Sequence, residues 1–306
     1  MNDQVVVDPA RLGQTVLVDG RRLAWAEWGP GDGRPVLFCP GAATSRWLGF
    51  AGDVLDALGV RLISVDRPGL GGSDPLPGRS LLDWAADVRQ LAESRELTGL
   101  AAVGLSQGAP FALACAATGV VTGAAVVSGT DELANPGFGD ALHPDVRGMV
   151  AAAAADPVAA EASFAAFGSA EVMWDLIVRH SHDVDRRVYT EPVFAAAYRR
   201  ALAEGFAQGP AGYARDTLLA NSPWPFDPAD ITVAVDLWYG ALDTSLSHSP
   251  DHGGLLAARL PDARRHVLPE AGGALLWTHG EQVLRDLLSG VAKGRSATGG
   301  TASAAR

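Results

Sequence analysis

Three stretches of this chain carry residues that could take part in nucleophilic chemistry, and only the first has a spacing that points to it. The first is Gly104-Leu105-Ser106-Gln107-Gly108. An apolar run from Leu100 to Leu105 predicts a short buried strand, and the small residues Ala109 to Ala117 predict a helix. A serine between them, with glycines two positions away on either side, fits a tight turn that lifts its hydroxyl above the strand's carboxyl end. The same turn aims the Gln107 amide, at the start of the helix, toward a developing oxyanion. The second group follows the apolar run Ile231 to Tyr239: Asp243, then His248 and His252. The third is Glu270-Ala271-Gly272-Gly273-Ala274, followed by His279. A serine hydroxyl needs a base to accept its proton, so these histidines and carboxylates are the candidates to be weighed.

The elements that must position these groups are legible as a rhythm. Asp19-Gly20 between Thr15–Val18 and Leu23–Trp28 predicts a hairpin. Strands are then expected at 36–39, 61–65, 100–105 and 123–127, with helices over 47–58, 80–97 and 109–117. Strands alternating with helices imply a parallel sheet after an antiparallel start. The rhythm breaks after Gly129. Residues 133–222 are alanine-rich and predict helices at 145–155, 157–167, 169–180, 191–207 and 211–220. It resumes with a strand at 231–239, a helix at 251–259, a strand at 264–268 and a helix at 275–289. The expected organisation is a core in two parts, 1–132 and 223–290, a helical insertion at 133–222, and a disordered Gly/Ser/Ala/Thr-rich tail at 291–306.

Bulk properties narrow the partners. The 306 residues carry 24 basic and 35 acidic side chains, a net charge of -11, which argues against nucleic acid or an anionic membrane surface. There is no segment with the pattern of a signal peptide and no apolar run long enough to span a bilayer, so a cytoplasmic location is expected. Cys39 and Cys115 are expected to be reduced core thiols. The loop Asp66 to Asp74 lacks the endings of nucleotide-binding loops, and no histidine or cysteine cluster has metal-ligand spacing. No cofactor and no metal are expected, and the chain is expected to act as a monomer or homodimer.

Five strings, in order, resemble the α/β-hydrolase superfamily over residues 15–290: Val36 to Gly41, Val65 to Asp74, Gly104 to Gly108, Trp238 to Asp243, and Leu268 to Gly273. The likeness is to bacterial esterase-, haloperoxidase- and proline-iminopeptidase-like members with a helical cap. It implies a mostly parallel twisted sheet flanked by helices. It also implies Ser106 as nucleophile, the Ala42 and Gln107 amides as oxyanion donors, and Asp243 as the acid that orients histidine. Asp131, after the strand at 123–127, is an alternative acid, and Asp66 and Arg67 are expected to brace their loop. Two positions depart from the resemblance. Pro40 stands where such chains carry histidine, and Gly273 stands where they carry the catalytic histidine. His248, His252, His279 and Glu270 therefore remain as alternative bases. His266 is expected to be structural, and His143, His180 and His182 lie in the insertion.

The aromatics Trp47, Phe138, Trp174, Phe194, Tyr198, Phe206, Tyr213, Trp224 and Phe226 form either the insertion's core or the wall of an apolar substrate pocket. The expected function is an esterase- or lactonase-type serine hydrolase acting on a hydrophobic small molecule. Two alternatives stand beside it. One is a non-hydrolytic cyclase, lyase or isomerase of specialised metabolism, motivated by Gly273. The other is a ligand-binding protein without chemistry.

Overall fold

The computed structural model describes residues 6–299. Eight strands form one sheet in the order β1-β2-β4-β3-β5-β6-β7-β8. They are β1 (Arg11–Val16), β2 (Arg22–Trp28), β3 (Arg34–Cys39), β4 (Val60–Val65), β5 (Ala101–Leu105), β6 (Ala124–Val127), β7 (Val235–Gly240) and β8 (Ala263–Leu268). The β1–β2 and β2–β4 pairings are antiparallel and the others parallel. The central strands are apolar on both faces, as a sheet covered on both sides requires. Val36 and Phe38 bury in one core while Leu37 and Cys39 bury in the other, the period of two that a strand imposes. Both cysteines are free and buried.

The helices on the sheet are α1 (Leu55–Leu58), α2 (Leu81–Ser94), α3 (Ala109–Ala117), α10 (Gly254–Arg259) and α11 (Leu275–Gly299). Ser80 and Asp83 close a reciprocal capping box on α2, which explains its sharp start. Six helices lie between β6 and β7: α4 (Pro144–Ala155), α5 (Pro157–Phe167), α6 (Ala170–Arg179), α7 (Asp183–Tyr189), α8 (Pro192–Gly205) and α9 (Ala211–Ala220). Each of α4 to α8 has a side-chain N-cap, from His143, Asp156, Ser169, His182 and Glu191 respectively.

Three expectations need correction. A helix over 47–58 is reduced to the four residues of α1. The segment before it is held by long-range bonds instead: the Ser45 amide donates to the Ala201 carbonyl, and the Arg46 amide donates to Asp66 Oδ1 at 2.5 Å. The short α7 was not anticipated. The last helix continues to Gly299, past the expected end at 289, and residues 300–306 lie outside the described residues. Among the described residues, no helix is long and apolar enough to cross a membrane.

Candidate active site

Ser106 follows β5 at a φ of 50°, left-handed backbone that a serine adopts only when its surroundings enforce it. The flanking glycines are part of that enforcement. A Cβ on Gly104 would lie 2.8 Å from Ala109 Cα, and one on Gly108 would run into the Cys39 carbonyl. The strand-to-helix turn thus packs backbone on backbone and leaves the serine hydroxyl free.

That hydroxyl lies 2.8 Å from His248 Nε2, and His248 Nδ1 lies 2.6 Å from Asp243 Oδ2. The three side chains form a continuous hydrogen-bonded chain. Asp243 sits three residues past the end of β7 and is nearly buried. A local turn organises it, with the Ser245 amide donating to Asp243 Oδ1 at 3.0 Å and the His248 amide to the Ser245 carbonyl at 3.4 Å. The next residue pins the loop to the sheet, because the Ser249 amide donates to the Gly129 carbonyl at 2.9 Å. Burial pushes the Asp243 carboxyl toward higher pKa. The His248 charge and hydrogen bond, with the Ser245 amide, outweigh it, so the group titrates below its ordinary value.

Gly273 faces the same acid from the other side: a Cβ there would lie 2.8 Å from Asp243 Oδ1. The turn after β8 therefore still reaches Asp243, but its side of the acid holds no imidazole. It takes a carboxylate from the insertion instead. Asp185, on α7, accepts from the Gly273 amide at 2.8 Å and the Ala274 amide at 2.9 Å. A Cβ on Gly272 would collide with that carboxylate. Burial, opposed by these two amides, holds the Asp185 carboxyl above its ordinary pKa.

The loop after β3 is held by Arg67. Its Nη1 donates to the Pro40 carbonyl at 2.7 Å, its Nη2 to the Gly41 carbonyl at 3.0 Å, and its Nε to Asp216 on α9 at 2.6 Å. Arg79 also pairs with Asp216, and all three side chains are essentially buried. Asp66 accepts from the Arg46 and Gly72 amides and pairs with the Arg46 guanidinium. Pro40 costs this loop nothing, because the position contributes its carbonyl and not an amide.

The remaining candidates lie elsewhere. Asp131 is fully buried, accepts from the Glu132 amide and from Ser249 Oγ, and touches the residue beside His248, not the imidazole. Burial pushes its pKa up to about 6. His252 packs its ring edge-on against Tyr239. His279 pairs with the Thr278 hydroxyl, at the kink in α11. Glu270 is exposed. His266 stacks on Trp238 at 4.0 Å. No group of three or more metal-ligating side chains occurs among the described residues.

A cavity of about 360 Å³ opens over Ser106. Ala42 and Gln107 line its floor, and Met149, Met173, Ile177 and Tyr198 from the helical insertion line its roof. Of the aromatics singled out above, Tyr198 and Tyr213 reach this wall, joined by Tyr189. Trp174 and Phe194 pack in the core beneath it, Phe138 belongs to a separate small cluster, and Trp224 stacks on Phe226.

A parallel sheet behind an antiparallel hairpin, with a serine turn at the end of β5 and a helical insertion after β6, defines an α/β-hydrolase fold. The chain belongs to the alpha/beta hydrolase family, whose model matches residues 36–286. Solved structures of similar fold include the enol-lactonase from Burkholderia xenovorans LB400 (TM-score 0.64, 18% identity, 90% of this chain and 100% of that one). An esterase from Rhodococcus sp. ECU1013 gives a TM-score of 0.62 at 20% identity, covering 92% of this chain and 98% of that one. A non-heme chloroperoxidase from Streptomyces lividans is 37% identical over 102 residues. That match spans 32% of this chain and only 36% of the chloroperoxidase's length.

Proposed function

We propose that this protein is a serine hydrolase for small, mainly hydrophobic esters or lactones, with Ser106 as nucleophile and His248 as its base. The observation that carries this reading is the hydrogen-bonded chain from Ser106 Oγ through His248 to Asp243. The esterase and enol-lactonase among the similar structures agree with it at the level of fold.

In this reading Ser106 Oγ attacks the substrate carbonyl carbon while His248 Nε2 takes the hydroxyl proton. Asp243 accepts from Nδ1–H, fixing the tautomer and stabilising the imidazolium. The carbonyl oxygen becomes an oxyanion between the Ala42 and Gln107 amides. His248 then gives its proton to the departing alkoxide, leaving an acyl-serine. Water, deprotonated by the same imidazole, attacks that acyl group and restores the hydroxyl. The non-hydrolytic alternative rests on the lack of a base at position 273; the hydrogen bond between His248 and Ser106 favours hydrolysis instead.

The test is intact mass after incubation with a fluorophosphonate. One adduct per chain is expected within minutes, with none in Ser106→Ala. A folded wild-type protein that stays unlabelled would sink the reading.

A further inference from the structure

The fixed charges on the cavity wall are acidic. No lysine or arginine lines it among the described residues, and three carboxylates do: Asp145, Asp185 and Asp243. Asp243 is paired with His248. The Asp145 side chain is 81% exposed at the rim, where water screens it. Asp185 differs from both, being only 3% exposed. Among the described residues, its hydrogen-bond donors are the two neutral amides of Gly273 and Ala274, and no salt bridge reaches it. The titratable groups that act on it are Asp243 and His248, already hydrogen-bonded to each other, and the neutral Tyr189 phenol lies one turn along its own helix. An anionic carboxylate without a cation, close to water-poor walls, acts over a longer range than a surface charge.

We infer that Asp185 is a specificity-determining residue: it bars substrates with an anionic group near the scissile bond and admits neutral or cationic ones. This deepens the hydrolase reading and rests on the same cavity. It assigns Asp185 no contact with the reacting atoms. The carboxylate holds the insertion's α7 against the turn at 272–274, and from there its charge faces whatever enters. The glycines at 272 and 273 make the arrangement possible, since side chains would collide with Asp185 and Asp243 respectively.

The test reads binding separately from turnover. Ser106→Ala protein, with and without Asp185→Asn, is titrated calorimetrically at pH 8 with hexanamide, hexanoate and hexylammonium, matched in length and differing in charge. With Asp185 present, hexanoate is expected to bind at least about tenfold more weakly than hexanamide, and hexylammonium at least as tightly as the amide. With Asp185→Asn, the spread should fall below about threefold. Hexanoate binding as well as hexanamide, or a spread that survives the substitution, overturns the inference. If Asp185→Asn does not fold by circular dichroism, Asp185→Ser serves the same comparison. Failure of fluorophosphonate labelling would sink the hydrolase reading alone, because these titrations need no turnover.

Discussion

Replacing His248 with alanine should abolish hydrolysis while leaving the fold intact. Within the described residues, His248 is the one side chain hydrogen-bonded to Ser106 Oγ. The other ionisable side chains on the cavity are Asp145, His180, Asp185, Asp243 and the phenols of Tyr189, Tyr198 and Tyr213, which burial holds above their ordinary pKa. Asp185 spends both oxygens on backbone amides, and Asp243 would be left facing the gap where the imidazole stood. Among the described residues, no replacement base stands within a hydrogen bond of the serine. In a reference serine hydrolase, removing the histidine costs about 10⁶ in kcat, equivalent to about 8 kcal/mol at 1.36 kcal/mol per tenfold. The Ala42 and Gln107 amides and the pocket would keep a residual, so a loss of about 10⁴–10⁶-fold is expected here. The assay is release of p-nitrophenol from p-nitrophenyl butyrate, with thermal unfolding as the control for folding. KM should change little, because the imidazole contributes to the transition state more than to ground-state binding. A loss of less than about 10²-fold would refute the assignment of His248 as base and return the question to the other histidines.

Two further outcomes follow from the surroundings of the site. Asp131, with its pKa pushed up to about 6 from 3.8 by burial, holds its proton more tightly in the folded state. Stability is therefore fully present below about pH 3.8 and falls as pH rises toward 6, because the folded state binds more protons across that window. Asp131→Asn removes the buried charge and can still accept from the Glu132 amide. It should raise stability at pH 7–8 by roughly 1–3 kcal/mol, taking 1.36 kcal/mol per unit as the upper scale. Urea denaturation at pH 7.5 and pH 4 checks this, and an equal or lower midpoint at pH 7.5 would contradict it. Arg67→Lys should lower kcat by about 10–100-fold, since an ammonium cannot hold the Pro40 and Gly41 carbonyls and Asp216 at once. Unchanged kcat for a neutral ester would show that the loop carrying Ala42 holds itself.

The fold was legible because its signals are local. The serine turn needs glycines at fixed offsets, the parallel strands are short apolar runs, and Ser80 with Asp83 marks the start of a helix. The insertion was legible for the same reason, in alanine-rich stretches. What escaped the sequence depends on distant contacts. Residues 47–54 have helical spacing, but Asp66 and Ala201 claim the backbone at 45 and 46. The short α7 is seven residues, four of them charged, with an apolar side of only Val184, Val188 and Tyr189, yet it delivers Asp185 to the site. His248 carries a local signal. It lies five residues past Asp243 in a loop with Ser245, Ser247 and Ser249, where a polar turn can fold an imidazole back onto its own acid. Position 273, where the resemblance expects histidine, is glycine. Nothing local says that Ser249 is tied to Gly129, and that tie is what turns His248 inward.

In the proposed hydrolase, the histidine after Asp243 and the cap carboxylate belong to one arrangement. Asp243 has two approaches: the loop that follows it and the turn after β8. Once the imidazole arrives along the first, a side chain on the second would press on Asp243 Oδ1, which is why glycine fits at 273. The turn's amides at 273 and 274, at the start of α11, then become a favourable place for a carboxylate. Asp185 fills it from the insertion, tying a roof helix to the floor of the site. With His248 as the proposed base, the turn after β8 needs no imidazole, and it is the point where the Asp185 carboxylate ties the helical insertion to the core and adds charge to the cavity wall.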